Sequence, residues 1–141
     1  MTDEAQTRSV AVERELAHPP ERIWRALTQP QLIAEWLMQT DFAPEIGRSF
    51  TLSQQWGSVD CKVLAIEPER SLVYSWDALG LESTVTWTLT PIAGGTLLRM
   101  EQEGFRTDQK QEFGGAKAGW RHFFDNLEQL LARLDAQGEP A

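Results

Sequence analysis

Few side chains in this sequence are placed to move a proton, hold a metal or attack a bond. General acid or base chemistry needs a carboxyl, imidazole or phenol inside a pocket, and covalent chemistry needs a nucleophile beside a base. Of the two histidines, His18 stands in a turn before Pro19 and Pro20. His122 follows Trp120 by two positions, about 200° round a helix, and so faces water. Ser58 and Ser75 have no histidine partner, while Glu101 and Glu103 alternate outward with Arg99 as surface charges. Cys61 is the only cysteine, which forbids an intrachain disulfide, and it reads as a small buried hydrophobe rather than a reactive thiol. No cysteine and histidine share metal-ligand spacing, so no metal or cofactor is expected. Gly114 and Gly115 lack the flanking residues of a phosphate loop and read as flexibility in residues 105–119, a segment suited to act as a lid.

The polar side chains that alternation turns inward are Arg14, Gln54, Tyr74 and Gln102, spread over four strands. They are the candidates for orienting a ligand, because a buried polar group left unpaired costs roughly 1–3 kcal/mol. For Arg14 the competing reading is a strand-end residue that reaches the rim or pairs with a carboxylate. For the other three it is mutual or backbone hydrogen bonding.

The elements that carry these residues follow from periodicity. Val10, Val12 and Leu16 alternate with polar neighbours as in a half-buried strand, which His18, Pro19 and Pro20 stop. Pro20 or Glu21 opens a short helix with Ile23, Trp24 and Leu27 on its buried side, Thr28 or Gln29 ends it, and Pro30 starts a second through Trp36. From Ile46 to Phe105 the period becomes that of a sheet. Phe50, Leu52, Gln54 and Trp56 face one way in one strand, and Val59, Cys61, Val63 and Ala65 in the next, where Leu64 and Ile66 point to a bulge or a second buried face. Leu72, Tyr74 and Trp76 define a fourth strand. Ser83, Val85, Trp87 and Leu89 oppose four threonines in a fifth, and Leu98, Met100 and Gln102 lie on the inner side of a sixth. Leu79 and Leu81 are taken as exposed apolar positions suited to an interface. The chain ends in a helix with one apolar stripe, regular from about Lys117 to Leu134 because Gly114, Gly115 and Gly119 weaken its start.

A length of 141 residues suits one domain, taken as residues 8–136, with loose polar tails at 1–7 and 137–141. An apolar fraction of 41% beside 24% charged residues is that of a globular chain rather than a disordered one. A formal charge of −8 opposes phosphate neutralisation and argues against nucleic-acid partners and anionic membranes. The N-terminus has no basic segment followed by an apolar run, and nothing approaches the roughly 18 apolar residues of a membrane helix. With the lone cysteine, this suits a reducing cytoplasm.

Strand, two short helices, a run of hairpins and one long amphipathic helix make an α+β fold in which a curved antiparallel six-stranded sheet faces the helix. Trp56, Trp76, Trp87, Trp120, Phe123 and Phe124 meet there, and groups of this size leave irregular space in a curved sheet. A dry, filled core is the alternative that patterning leaves open. Phe124 is expected to face the void and Leu131 the packed end.

The segments PPERIWRALTQPQLIAEWL, VLAIEPERSLVYSW, TVTWTLTPIAGGTLLRM and GWRHFFDNLEQLLARL together resemble the family of activators of heat-shock protein 90 ATPase, in stand-alone bacterial form. That family belongs to the helix-grip superfamily with START lipid-transfer domains, polyketide cyclases and birch-pollen-type allergens. The resemblance runs from about Val10 to Leu134. It implies a cavity between the C-terminal helix and the sheet that binds a small hydrophobic molecule. The aromatic inner face and the missing catalytic constellation make binding or carriage of a small hydrophobic or aromatic molecule, lipids included, without catalysis the expected function. The expected lining is Arg14, Gln54, Trp56, Tyr74, Trp76, Trp87, Met100, Gln102, Trp120, Phe123, Phe124 and Leu127. One alternative is a cyclase or dehydratase with Tyr74 as proton donor, able to act as a base only beside a cation such as Arg14. Another is a chaperone co-factor or stress-response module, although the N-terminal domain of the eukaryotic activator has no counterpart here, so a direct activator role is not expected.

Overall fold

A computed structural model describes residues 7–55, 57–78, 80–106 and 108–136. Trp56, Leu79 and the expected tails, apart from Thr7, lie outside the described residues. Among the described residues ten elements follow one another: β1 (Thr7–Leu16), α1 (Pro20–Thr28), α2 (Pro30–Trp36), β2 (Gln39–Thr40), β3 (Ser49–Gln54), β4 (Gly57–Glu67), β5 (Ser71–Ala78), β6 (Leu81–Ile92), β7 (Gly95–Arg106) and α3 (Lys110–Ala136). The strands form one antiparallel sheet in the order β1-β7-β6-β5-β4-β3-β2, with α3 across its apolar face. This is the helix-grip arrangement with seven strands where six were expected. The extra one, β2, is a two-residue pairing of Gln39 and Thr40 with Ser53 and Leu52, too short for any periodicity to announce.

Proline sets the junction between the short helices. Gln29, which precedes Pro30, sits at φ −95° and ψ 121°, because the proline ring disfavours helical geometry in the residue before it. The Trp36 indole then donates to the Ala26 carbonyl at 2.8 Å and fixes α2 against α1. On β6 the alternation is as expected: Ser83, Val85, Trp87 and Leu89 are buried, and the threonines lie on the other face. The irregularity foreseen near Leu64 is a shift in the β4–β5 register between Val63 and Ala65.

Two departures matter for the site. First, α3 begins at Lys110, about two turns before the expected start, despite three glycines. Helix stability comes mostly from tertiary packing rather than propensity, and this end is held from outside. The Gln109 side chain accepts the Arg106 backbone N–H at 2.8 Å and donates to the Gly80 carbonyl at 3.3 Å, while the Phe113 ring meets Phe105 edge-on at 5.6 Å. The expected lid is thus a helical segment. Second, Gly104 is an extra residue in β7, where β1 pairs Arg8 with Phe105 but Ser9 with Glu103. Its φ is +118°, and a Cβ there would lie 2.6 Å from the Glu82 carbonyl oxygen, so only glycine fits. The bulge reverses the parity of the strand and turns Phe105 into the core beneath the start of α3.

Candidate functional site

The positions of α3 that face the sheet change character along its length. Residues 115, 116, 119, 120 and 123 share one arc of about 140° at 100° per residue, and 124, 127, 130 and 131 continue the same side of the helix. In the later turns that side carries Phe124, Leu127, Leu130 and Leu131, all buried against the sheet. In the earlier turns it carries Gly115, Ala116 and Gly119, and a Cβ at either glycine would meet nothing within 4 Å. Small residues therefore leave room where large ones would fill it. The result is a partly open cavity of about 350 Å³ between the first half of α3, the β5–β6 hairpin end at Ala78 and Leu81, and Met38 after α2.

Trp76, Trp120 and Phe123 form its aromatic wall, and Gln102 is the polar group at its base. Trp120 meets Trp76 at 5.2 Å and Trp87 at 5.6 Å between ring centroids. The Trp120 indole N–H donates to Gln102 Oε1 at 2.7 Å, Gln102 Nε2 donates to Ser83 Oγ at 2.9 Å, and the Ser83 hydroxyl donates to the Trp76 carbonyl at 2.8 Å. Each buried polar side chain in this chain of bonds has a protein partner. Among the described residues no charged side chain lines the cavity.

Of the residues expected on the lining, Trp76, Gln102, Trp120 and Phe123 reach the cavity. The others are elsewhere for identifiable reasons. Trp87, Met100, Phe124 and Leu127 are sealed in the core behind it, with Phe124 stacked on Trp87 at 5.8 Å. Phe124 thus faces filled space, contrary to expectation. Tyr74 lies on the far side of Trp87, whose indole donates to its hydroxyl at 3.0 Å, and burial pushes its pKa well above the usual value for a phenol. Gln54 donates to the Leu37 carbonyl at 2.8 Å and ties β3 to the segment after α2. Arg14 pairs with Asp125 at 2.7 Å and Glu128 at 2.9 Å, with its guanidinium 5.5 Å from the Phe124 ring centre. It straps the second half of α3 to β1. Trp56 lies outside the described residues.

Leu81, taken from the sequence as exposed, is buried on the cavity wall because β6 begins there and alternation starts from it inward. Met38, Ala78, Gly115, Ala116 and Gly119 were missed. A signal for the last three was present, since they repeat at steps of four with Trp120 and Phe123. His122 is exposed, as expected. Cys61 is buried, and its thiol pKa is pushed up to about 12 by burial and then by the nearby charges of Asp77, Asp60 and Asp41. No described group of three or more His, Cys, Asp or Glu side chains could hold a metal ion, and no described helix is long and apolar enough to cross a membrane.

Comparison with known proteins agrees with this architecture. Residues 17–132 match the family model for activator of Hsp90 ATPase homolog 1-like protein. The crystal structure of protein MLL2253 from Mesorhizobium loti is 56% identical at a TM-score of 0.88, with 89% of this chain and 98% of that one covered. CalU16 from Micromonospora echinospora is 25% identical at 0.78, covering 93% and 80%. DynU16, a protein in the dynemicin biosynthetic locus, is 28% identical at 0.80. The alignment takes in 88% of this chain and 47% of DynU16, so this chain spans about half of that protein. No curated protein matches the chain.

Proposed function

We propose, from the premise that this chain belongs to the activator of Hsp90 ATPase homolog 1-like family of the START and polyketide cyclase superfamily, that it binds a small hydrophobic or aromatic molecule under the first half of α3 without transforming it. The fold is that of a ligand-binding family. The observation that carries the finer reading is the composition of the cavity: three aromatic side chains, apolar and small neighbours, one amide and no charged group among the described lining. Such a surface favours transfer of apolar area from water, and it offers no group that titrates near neutrality to act as acid, base or nucleophile. The similarity to DynU16, a protein in the dynemicin biosynthetic locus, is consistent with a small-molecule ligand.

The cyclase-type alternative loses its proton donor. Tyr74 on β5 and Arg14 on β1 stand three strand spacings apart, roughly 14 Å at about 4.8 Å each, and neither lines the cavity. The test of the binding reading is a titration of the ¹⁵N-labelled protein with flavonoids, aromatic polyketides and single-chain lipids. Saturable shifts centred on Met38, Leu81, Gln102 and Trp120, with none at Leu131, are the expected result. A panel that leaves these residues unmoved contradicts it.

A further inference from the structure

We propose that Gln102 is the specificity-determining residue of this cavity and that it selects an uncharged aromatic ligand bearing one hydroxyl or carbonyl group; this rests on the cavity being the binding site. A carboxamide carries two acceptor lone pairs on oxygen and two N–H donors. An indole N–H can only donate, so the Trp120 contact at 2.7 Å forces the amide oxygen toward α3 and the nitrogen toward β6. Ser83 gives its one proton to the Trp76 carbonyl and must therefore accept from Gln102. Every donor in the row points the same way, and the amide cannot flip without setting donor against donor. Trp120 and Ser83 use one acceptor site and one donor of Gln102, which leaves one of each.

Gln102 lines the cavity with only 2% of its surface exposed, so a ligand can reach its remaining donor and acceptor only along that narrow edge. A hydroxyl on the ligand can use either, and a carbonyl can accept the N–H. Without such a group, an apolar ligand excludes water from the amide and leaves it partly unsatisfied. A carboxylate fares worse, since no described cation lines the cavity to offset the loss of its hydration. Size narrows the class further. At about 350 Å³ the cavity lies at the small end of the roughly 300–1,000 Å³ of ligand pockets, which favours a molecule of two or three fused rings.

Three probes of equal ring size separate these effects: naphthalene, 2-naphthol and the 2-naphthoate anion at pH 7, each followed by NMR on the full chain. 2-Naphthol is expected to bind about tenfold more tightly than either of the others, equivalent to about 1.4 kcal/mol, and it alone should shift the Gln102 side-chain NH₂ signals. In Gln102→Met the preference over naphthalene should fall to near unity. If that variant does not fold, the NH₂ signals of the unaltered protein still decide. Equal affinity for naphthalene and 2-naphthol, with Trp120 and Phe123 signals moving in both, overturns the role of Gln102 and leaves the cavity as the site. Tightest binding of 2-naphthoate overturns it as well. If none of the three moves any cavity residue, the site itself is wrong and the selectivity falls with it.

Discussion

The two halves of α3 present the same side to the same sheet and do opposite things. From Phe124 to Leu131 the helix fills its groove with large side chains, stacks on Trp87 and is strapped to β1 through Arg14. From Gly115 to Gly119 it withholds side chains, and a cavity remains beneath it. The difference teaches that void and core need not differ in backbone geometry. A change of residue volume along one continuous helix suffices, and the glycines that weaken the helix are the same ones that make room.

The largest effect should come from Phe124→Ala. Because Phe124 is fully buried in packed surroundings, its truncation should cost about 3–5 kcal/mol, and Leu131→Ala about 2–5 kcal/mol, in urea unfolding. A markedly smaller cost at Phe124 would move the cavity toward the middle of the helix and blur the contrast.

Arg14→Met removes the strap while keeping much of the stem's packing. The guanidinium is partly exposed and its carboxylate partners more so, so the loss should be ~1 kcal/mol and should shrink in high salt. A loss independent of salt would show that the Arg14 stem, rather than its charge, holds the second half of α3.

In the first half the sign reverses. Gly115→Ala should stabilise by about 0.4–1 kcal/mol, since the added methyl meets open space and the unfolded chain loses freedom. Hydrogen exchange should be faster over residues 112–119 than over 124–131, and Gly115→Ala should narrow that gap. Destabilisation by the methyl would mean that the glycine side is in contact with something.

The effect that is smallest at neutral pH concerns Cys61, remote from both halves. Its pKa is raised from 9.0 to about 12 in the folded protein, so the protonated form is favoured by folding. That contribution is complete below about pH 9 and is lost as pH climbs from about 9 to 12. Tyr74 is raised from 10.0 and acts in the same direction. Stability should therefore fall above pH 9, and Cys61→Val should flatten the first part of the fall. Native protein should react with thiol reagents at pH 8 far more slowly than urea-unfolded protein.

Much of the architecture was legible because burial imposes a period. The serine, valine, tryptophan and leucine of β6 against its threonines, and the steps of three and four in α3, could each be read directly as a buried face. The cavity's location was not legible in the same way, because hydrophobic pattern marks where large side chains go and says nothing positive where they are withheld. Gly115 was read as flexibility and Gly119 as a weakness at the start of the helix, when their spacing with Phe123 places them on the inner side. Arg14 lay on the apolar side of β1 by alternation, but its partners Asp125 and Glu128 are more than a hundred residues away and only the fold brings them within reach. Gln102 could be assigned inward from alternation alone. Its fixed orientation depends on Trp120 and Ser83 arriving from two other elements.

The most direct measurement is calorimetric titration of 2-naphthol into the unaltered protein, Gly119→Leu and Leu131→Ala under conditions where all are folded. Leucine at 119 has room to enter the cavity and is a better helix former than glycine. The expected result is that Gly119→Leu abolishes binding at equal or higher stability, while Leu131→Ala keeps the affinity within about twofold despite losing about 2–5 kcal/mol of stability. Binding that survives Gly119→Leu and is lost in Leu131→Ala would contradict the account.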